Sequence, residues 1–84
     1  MEIAMWIFPR SDFADWLTLV GKSECATYGD YRTLVAAVAA DCERQGHRVS
    51  FARLTVSEMR AELARLDLPN TPNSRAAVIS VRAR

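Results

Sequence analysis

The feature that most constrains this chain is one long amphipathic stretch lying between two strand-like runs. From Asp30 onward, apolar residues fall at Tyr31, Leu34, Val35, Val38 and Cys42, a spacing of three and four that gathers them on one side of a helix. Arg32, Asp41, Glu43 and Arg44 take the opposite side, while Ala36, Ala37, Ala39 and Ala40 raise helix propensity and let a neighbour pack closely. Asp30 is a candidate N-cap and Gly46 a stop, so the pattern predicts a helix over 30–45. Ahead of it, residues 3–8 form a short apolar run of strand-favouring types closed by Pro9. Behind it, residues 48–54 alternate, with Val49 and Phe51 on one face and Arg48 and Ser50 on the other. Two strands joined through such a helix pair in parallel, by a right-handed crossover.

A chain of 84 residues has room for one domain, 1–84, with one modest core. The expected class is α+β. A two- or three-stranded sheet (3–8, 48–54 and, as a third strand, 76–83) packs against helices 30–45 and 56–66, with a short helix near 12–20. The short helix rests on Phe13, Trp16, Leu17 and Val20, with Ser11 as its cap and Gly21 as its stop. Thr55 and Glu58 have the spacing of a capping box, flanked by Leu54 and Met59 as a hydrophobic staple. The helix they open runs on to the break at Asp67-Leu68-Pro69. Residues 76–83 read two ways. Thr71-Pro72 is a cap and first-turn pair and Ala76-Ala77 suits a helix, whereas Ala77, Ile79 and Val81 alternate as in a strand. A sheet of only two strands also leaves an edge for a partner chain, so a homodimer is among the expected assemblies.

Glu2 stands where a secretory signal carries basic residues, the first apolar run is short, and no stretch nears the roughly 20 apolar residues of a membrane span. The expectation is a cytoplasmic protein with no membrane partner. Its cysteines would be reduced, Cys42 as a small buried hydrophobe and Cys25 as a free thiol in the polar loop 22–29.

Residue types that carry chemistry are sparse. Cys25, Cys42 and His47 lack the paired spacings of a metal site, so no metal is expected. His47, just after Gly46, is read as a polar contact to the end of the preceding helix. A Cys25–His47–carboxylate triad has no supporting pattern, and three glycines, none closely spaced, make no phosphate loop. Asp12 and Asp15 precede Trp16 and are read as complements to a helix N-terminus. The expectation is therefore a non-enzymatic binding protein without a cofactor. Trp6 and Trp16 read as core residues and Tyr28 as half exposed, with Trp16 and Tyr28 as candidate protein-contact aromatics.

Charge is unevenly placed although the whole chain is only +1. Residues 1–51 carry five basic and seven acidic side chains, whereas residues 52–84 carry six arginines and three acids. Arginine suits bidentate phosphate or carboxylate contacts. Arg53, Arg60, Arg65, Arg75, Arg82 and Arg84 are accordingly the candidate contacts to nucleic acid or to another partner.

The run from Leu54 to Ile79 adds a pattern: Thr55-Val56-Ser57-Glu58-Met59, then Leu63, Leu68-Pro69, and Arg75 ahead of Val78-Ile79. It resembles a SAP motif, a helix–extended loop–helix module that typically contacts DNA. Asp67 stands where that family usually has a glycine, and Pro72 replaces its loop glycine. The resemblance implies helices on both sides of the loop and phosphate contacts from Arg60, Arg65 and Arg75. Two function classes follow. The first is a macromolecular binding protein that contacts nucleic acid through its C-terminal arginines. The second is a stoichiometric protein-binding inhibitor of a nucleoprotein complex, of phage or mobile-element type, such as an anti-CRISPR protein.

Overall fold

The computed structural model describes residues 1–83; the candidate Arg84 lies outside the described residues. Strand β1 (Glu2–Ile7) leads through a 3-10 turn (Arg10–Asp12) into α1 (Phe13–Val20) and α2 (Tyr28–Arg44). Strand β2 (Arg48–Arg53) follows, then α3 (Val56–Arg65) and α4 (Pro72–Arg82). The two strands pair in parallel, Glu2 opposite Arg48 and Ile7 opposite Arg53. This is the expected α+β class, with two strands in the sheet among the described residues.

Residues 76–83 do not supply a third strand, because Pro72–Arg82 is helical. Thr71 Oγ accepts the Ser74 N–H (3.2 Å) and Pro72 begins the first turn with its φ already helical. Val78 is buried in the core, which outweighs the few tenths of a kcal/mol by which a β-branched residue disfavours a helix.

Helix α2 begins earlier than Asp30. Thr27 is its N-cap: the Thr27 hydroxyl accepts the Asp30 N–H, and the Asp30 carboxylate accepts the Thr27 and Ala26 N–H groups, each at 3.1 Å. The buried face also differs from the one the spacing predicts. The buried stripe is Tyr28, Tyr31, Val35 and Ala39, while Leu34 and Val38 stay exposed. The helix closes as expected at Gly46, where φ is +88°. Its N–H and that of His47 bond back to the Glu43 and Cys42 carbonyls, each at 3.0 Å. At α1, by contrast, no side chain caps the N-terminus, and Asp12 rather than Ser11 holds that position. The Asp12 carboxylate instead accepts the Val56 N–H at 2.8 Å, tying the 3-10 turn to the first residue of α3. That α3 N-terminus carries the predicted capping box between Thr55 and Glu58.

Strand β2 faces the opposite way from the alternation reading. Ala52 is fully buried and Phe51 is 44 % exposed. Pairing register gives the reason: Ala52 lies beside Trp6, and an indole needs a small neighbour on the same face of a narrow sheet. The Trp6 indole N–H donates to the Leu54 carbonyl at 2.8 Å, which fixes that face inward.

Phe8 is the centre of the core. Its ring lies 4.7–5.5 Å from those of Trp6, Trp16, Tyr28 and Tyr31, with Phe13 stacked on Trp16 beyond them. Of the seven aromatic residues, only Phe51 stands outside this cluster. The tyrosines also protect a strand edge. The Ile7 carbonyl accepts from Leu54 on the β2 side, so those of Trp6 and Phe8 point to the outer edge of β1. There they accept the hydroxyls of Tyr31 (2.5 Å) and Tyr28 (2.6 Å). Burial pushes the Tyr31 phenol pKa up, so it stays a donor. Both cysteines are free, but their burial is the reverse of expectation: Cys25 is buried and Cys42 half-buried.

Candidate functional site

The candidate arginines do not form one face. Arg65 is held by Glu62 through two bonds, Nη2 at 2.7 Å and Nε at 3.3 Å. Arg82 reaches across from α4 to Glu58 at 3.1 Å. The Arg75 guanidinium donates to the Asn70 side chain, whose amide in turn donates to the Leu19 carbonyl at 2.8 Å. Arg53 and Arg60 are exposed and, among the described residues, have no carboxylate in ion-pair reach. Arg60 and Arg65 are five residues apart on α3 and so point about 140° away from each other. Arg60 therefore flanks one side of α3, and the Glu58–Arg82 and Glu62–Arg65 pairs lie on the other.

These pairs have an electrostatic signature. The Thr55 backbone N–H first, then Arg82, hold the Glu58 carboxyl below its ordinary range, and Arg65 does the same for Glu62. Glu62 in turn raises the Arg65 pKa. All these groups are solvent-exposed, so each pair is worth little to stability. What the pairs do is fix where the guanidinium groups sit.

Trp16 and Tyr28, the candidate contact aromatics, are both core residues, each 9 % exposed. Trp16 stacks on Phe8 and Phe13. Tyr28 lies at the edge of the core and forms part of the wall of a cavity of about 310 Å³. The cavity opens where β1 and β2 end, at Ile7 and Arg53. Phe8, Pro9 and Leu54 make its apolar lining. Arg53 and Glu58 are its charged lining residues, Glu58 already engaged by Arg82 and by the Thr55 N–H.

Two further arginines stand against Tyr28. The Arg10 guanidinium carbon is 5.1 Å from the centre of the Tyr28 ring and that of Arg32 is 5.9 Å from it. Arg32 also donates to the Tyr28 hydroxyl at 3.2 Å. Charge counting passes over Arg10 and Arg32, because they belong to the more acidic half of the sequence. No local motif marks them; the fold brings both against Tyr28.

Among the described residues, no three His, Cys, Asp or Glu side chains come together in a way that could hold a metal ion. His47 makes its helix-end contact through its backbone N–H, and its Nδ1 is buried without a partner. No described helix is long and apolar enough to cross a membrane. Compared with protein-family models, with curated proteins and with solved structures, the chain matches none.

Proposed function

We propose that this chain is a non-enzymatic binding protein that contacts nucleic-acid phosphates through the α3–loop–α4 unit. The observation that carries the reading is the presentation of Arg60 and Arg75. Arg60 is exposed on α3 with no ion-pair partner among the described residues, and Arg75 is braced by Asn70 at the start of α4. Arg53, at the end of β2, adds a third guanidinium without a described ion-pair partner. Two helices joined across residues 66–71 also follow the order that the SAP resemblance implies. Asp67, at φ 53°, adopts the backbone shape that a glycine at that position would take.

The test is fluorescence anisotropy of a labelled generic duplex at about 50 and about 200 mM salt. Three phosphate contacts would lower affinity about 40-fold over that range. R60A and R75A should each weaken binding on any sequence and reduce the salt slope by close to one contact. No binding at tens of micromolar protein in low salt would sink the proposal.

A different set of side chains favours the second reading, a protein-binding inhibitor of a nucleoprotein complex. Leu34 (51 % exposed), Val38 (40 %) and Phe51 (44 %) are large apolar residues left outside the core. Exposed apolar side chains of this kind suit a protein partner better than a phosphate backbone. Under that reading F51D abolishes partner binding while R60A leaves it unchanged.

A further inference from the structure

We infer that the cavity at the ends of β1 and β2 is a binding site for a small amphiphilic oxyanion, an apolar or aromatic body carrying one phosphate or carboxylate. The site has two halves. The cavity, of about 310 Å³ and lined by Ile7, Phe8, Pro9 and Leu54, is at the small end of ligand-pocket sizes and matches one ring-sized body. Its charged lining is one guanidinium, Arg53, and one carboxylate, Glu58, which Arg82 pairs. Arg10 and Arg32 flank Tyr28 in the cavity wall. None of Arg53, Arg10 and Arg32 has a carboxylate in ion-pair reach among the described residues. A guanidinium without an ion-pair partner binds phosphate or carboxylate in the same forked geometry.

The lining acid does not cancel this. Glu58 is engaged by Arg82 and by the Thr55 N–H. The position also agrees with a general rule of parallel sheets, whose ligands sit beyond the carboxyl ends of the strands. The α3 N-terminus contributes little itself, since the Val56 and Glu58 N–H groups are already bonded to Asp12 and Thr55. The guanidinium groups provide the anion recognition.

The test is a two-dimensional amide NMR titration of the full chain with phenyl phosphate, phenylacetate and neutral benzyl alcohol. The expected result is saturable shifts at the Phe8 and Thr55 amides with one or both anions, and none with benzyl alcohol at equal concentration. The tighter-binding anion separates a phosphate source from a carboxylate source. R53Q and the double variant R10Q/R32Q should each weaken binding at least fivefold. If R10Q/R32Q loses the native spectrum, R53Q decides, because Arg53 is exposed and makes no structural bond among the described residues. The proposal is overturned by the absence of saturation, by equal binding of benzyl alcohol, or by unchanged affinity in folded R53Q. Shifts confined to Arg60, Arg75 and Arg82 would also overturn it, since they report the α3–α4 surface. Duplex binding by the unaltered chain and by R60A/R75A, measured in parallel, separates failure here from failure of the nucleic-acid reading.

Discussion

At Asp67 the backbone enters the left-handed region, with φ 53°, one residue beyond the last turn of α3. The Asp67 and Leu68 N–H groups bond back to the Ala64 and Leu63 carbonyls, at 3.1 and 2.9 Å, so the turn closes the helix as a glycine would. An aspartate is doubly awkward there. Its Cβ disfavours positive φ, and its negative charge faces the negative end of the helix dipole. D67G should therefore raise stability by about 0.5–1 kcal/mol despite the greater freedom glycine gives the unfolded chain. Urea unfolding checks this, and a β-branched D67V, which cannot reach positive φ cheaply, should shift the midpoint the other way. A break at 67 was legible from Asp-Leu-Pro; its left-handed shape was not, because a single aspartate carries no sign of φ. The same limit left Trp16 and Tyr28 open between the core and a contact surface. Sequence identifies an aromatic residue, but whether it lies in the core or at a surface depends on the four rings that meet Phe8.

At the scale of elements, the errors are shifts of phase rather than of type. Helix α2 was readable from its spacing, yet its start moved from Asp30 to Tyr28 because Thr27 and Asp30 cap each other. The inward stripe is Tyr28, Tyr31, Val35 and Ala39, which span about 80° of the helix, and Leu34 and Val38 fall on its flank at the surface. Strand β2 shows the period-two version: its alternation was visible, but only pairing with Trp6 says which face is inside. The α3–α4 contact adds an electrostatic element that sequence spacing did not show, since Glu58 and Arg82 are 24 residues apart. The Glu58 carboxyl is lowered from its ordinary 4.5 by the Thr55 N–H and by Arg82. A depressed folded pKa contributes stability above the unfolded value, and that contribution is lost as pH falls through the folded one. Stability should therefore decline as pH drops below about 4.5. E58Q keeps a capping amide but carries no titrating charge, so its acid limb should be flatter in urea unfolding from pH 6 down to 3. Equal slopes for the two proteins would place the acid sensitivity elsewhere.

At the scale of the whole molecule, stability and charge are carried by different parts. No charged or polar residue is buried among the described residues, and the core is a continuous apolar cluster from Trp6 to Val78. The three described ion pairs are all on the surface: Arg44–Asp41, Arg65–Glu62 and Arg82–Glu58. Exposed pairs are screened within a Debye length of about 10 Å at 0.1 M salt. Raising sodium chloride from about 50 to about 500 mM should therefore move Tm by no more than about 4 °C, the shift that corresponds to roughly 1 kcal/mol for a domain this size. Binding should respond differently. Arg10, Arg32, Arg53 and Arg60 make no described ion pair, so any polyanion they hold is bound at the expense of counterions, and its affinity falls steeply over the lower part of the same salt range. Measuring both on one preparation separates the two roles. A stable fold with salt-sensitive binding is the outcome expected of arginines that face a partner. A Tm that falls by much more than 4 °C would mean that the surface ion pairs hold the fold together, which would make Arg65 and Arg82 structural rather than partner-facing.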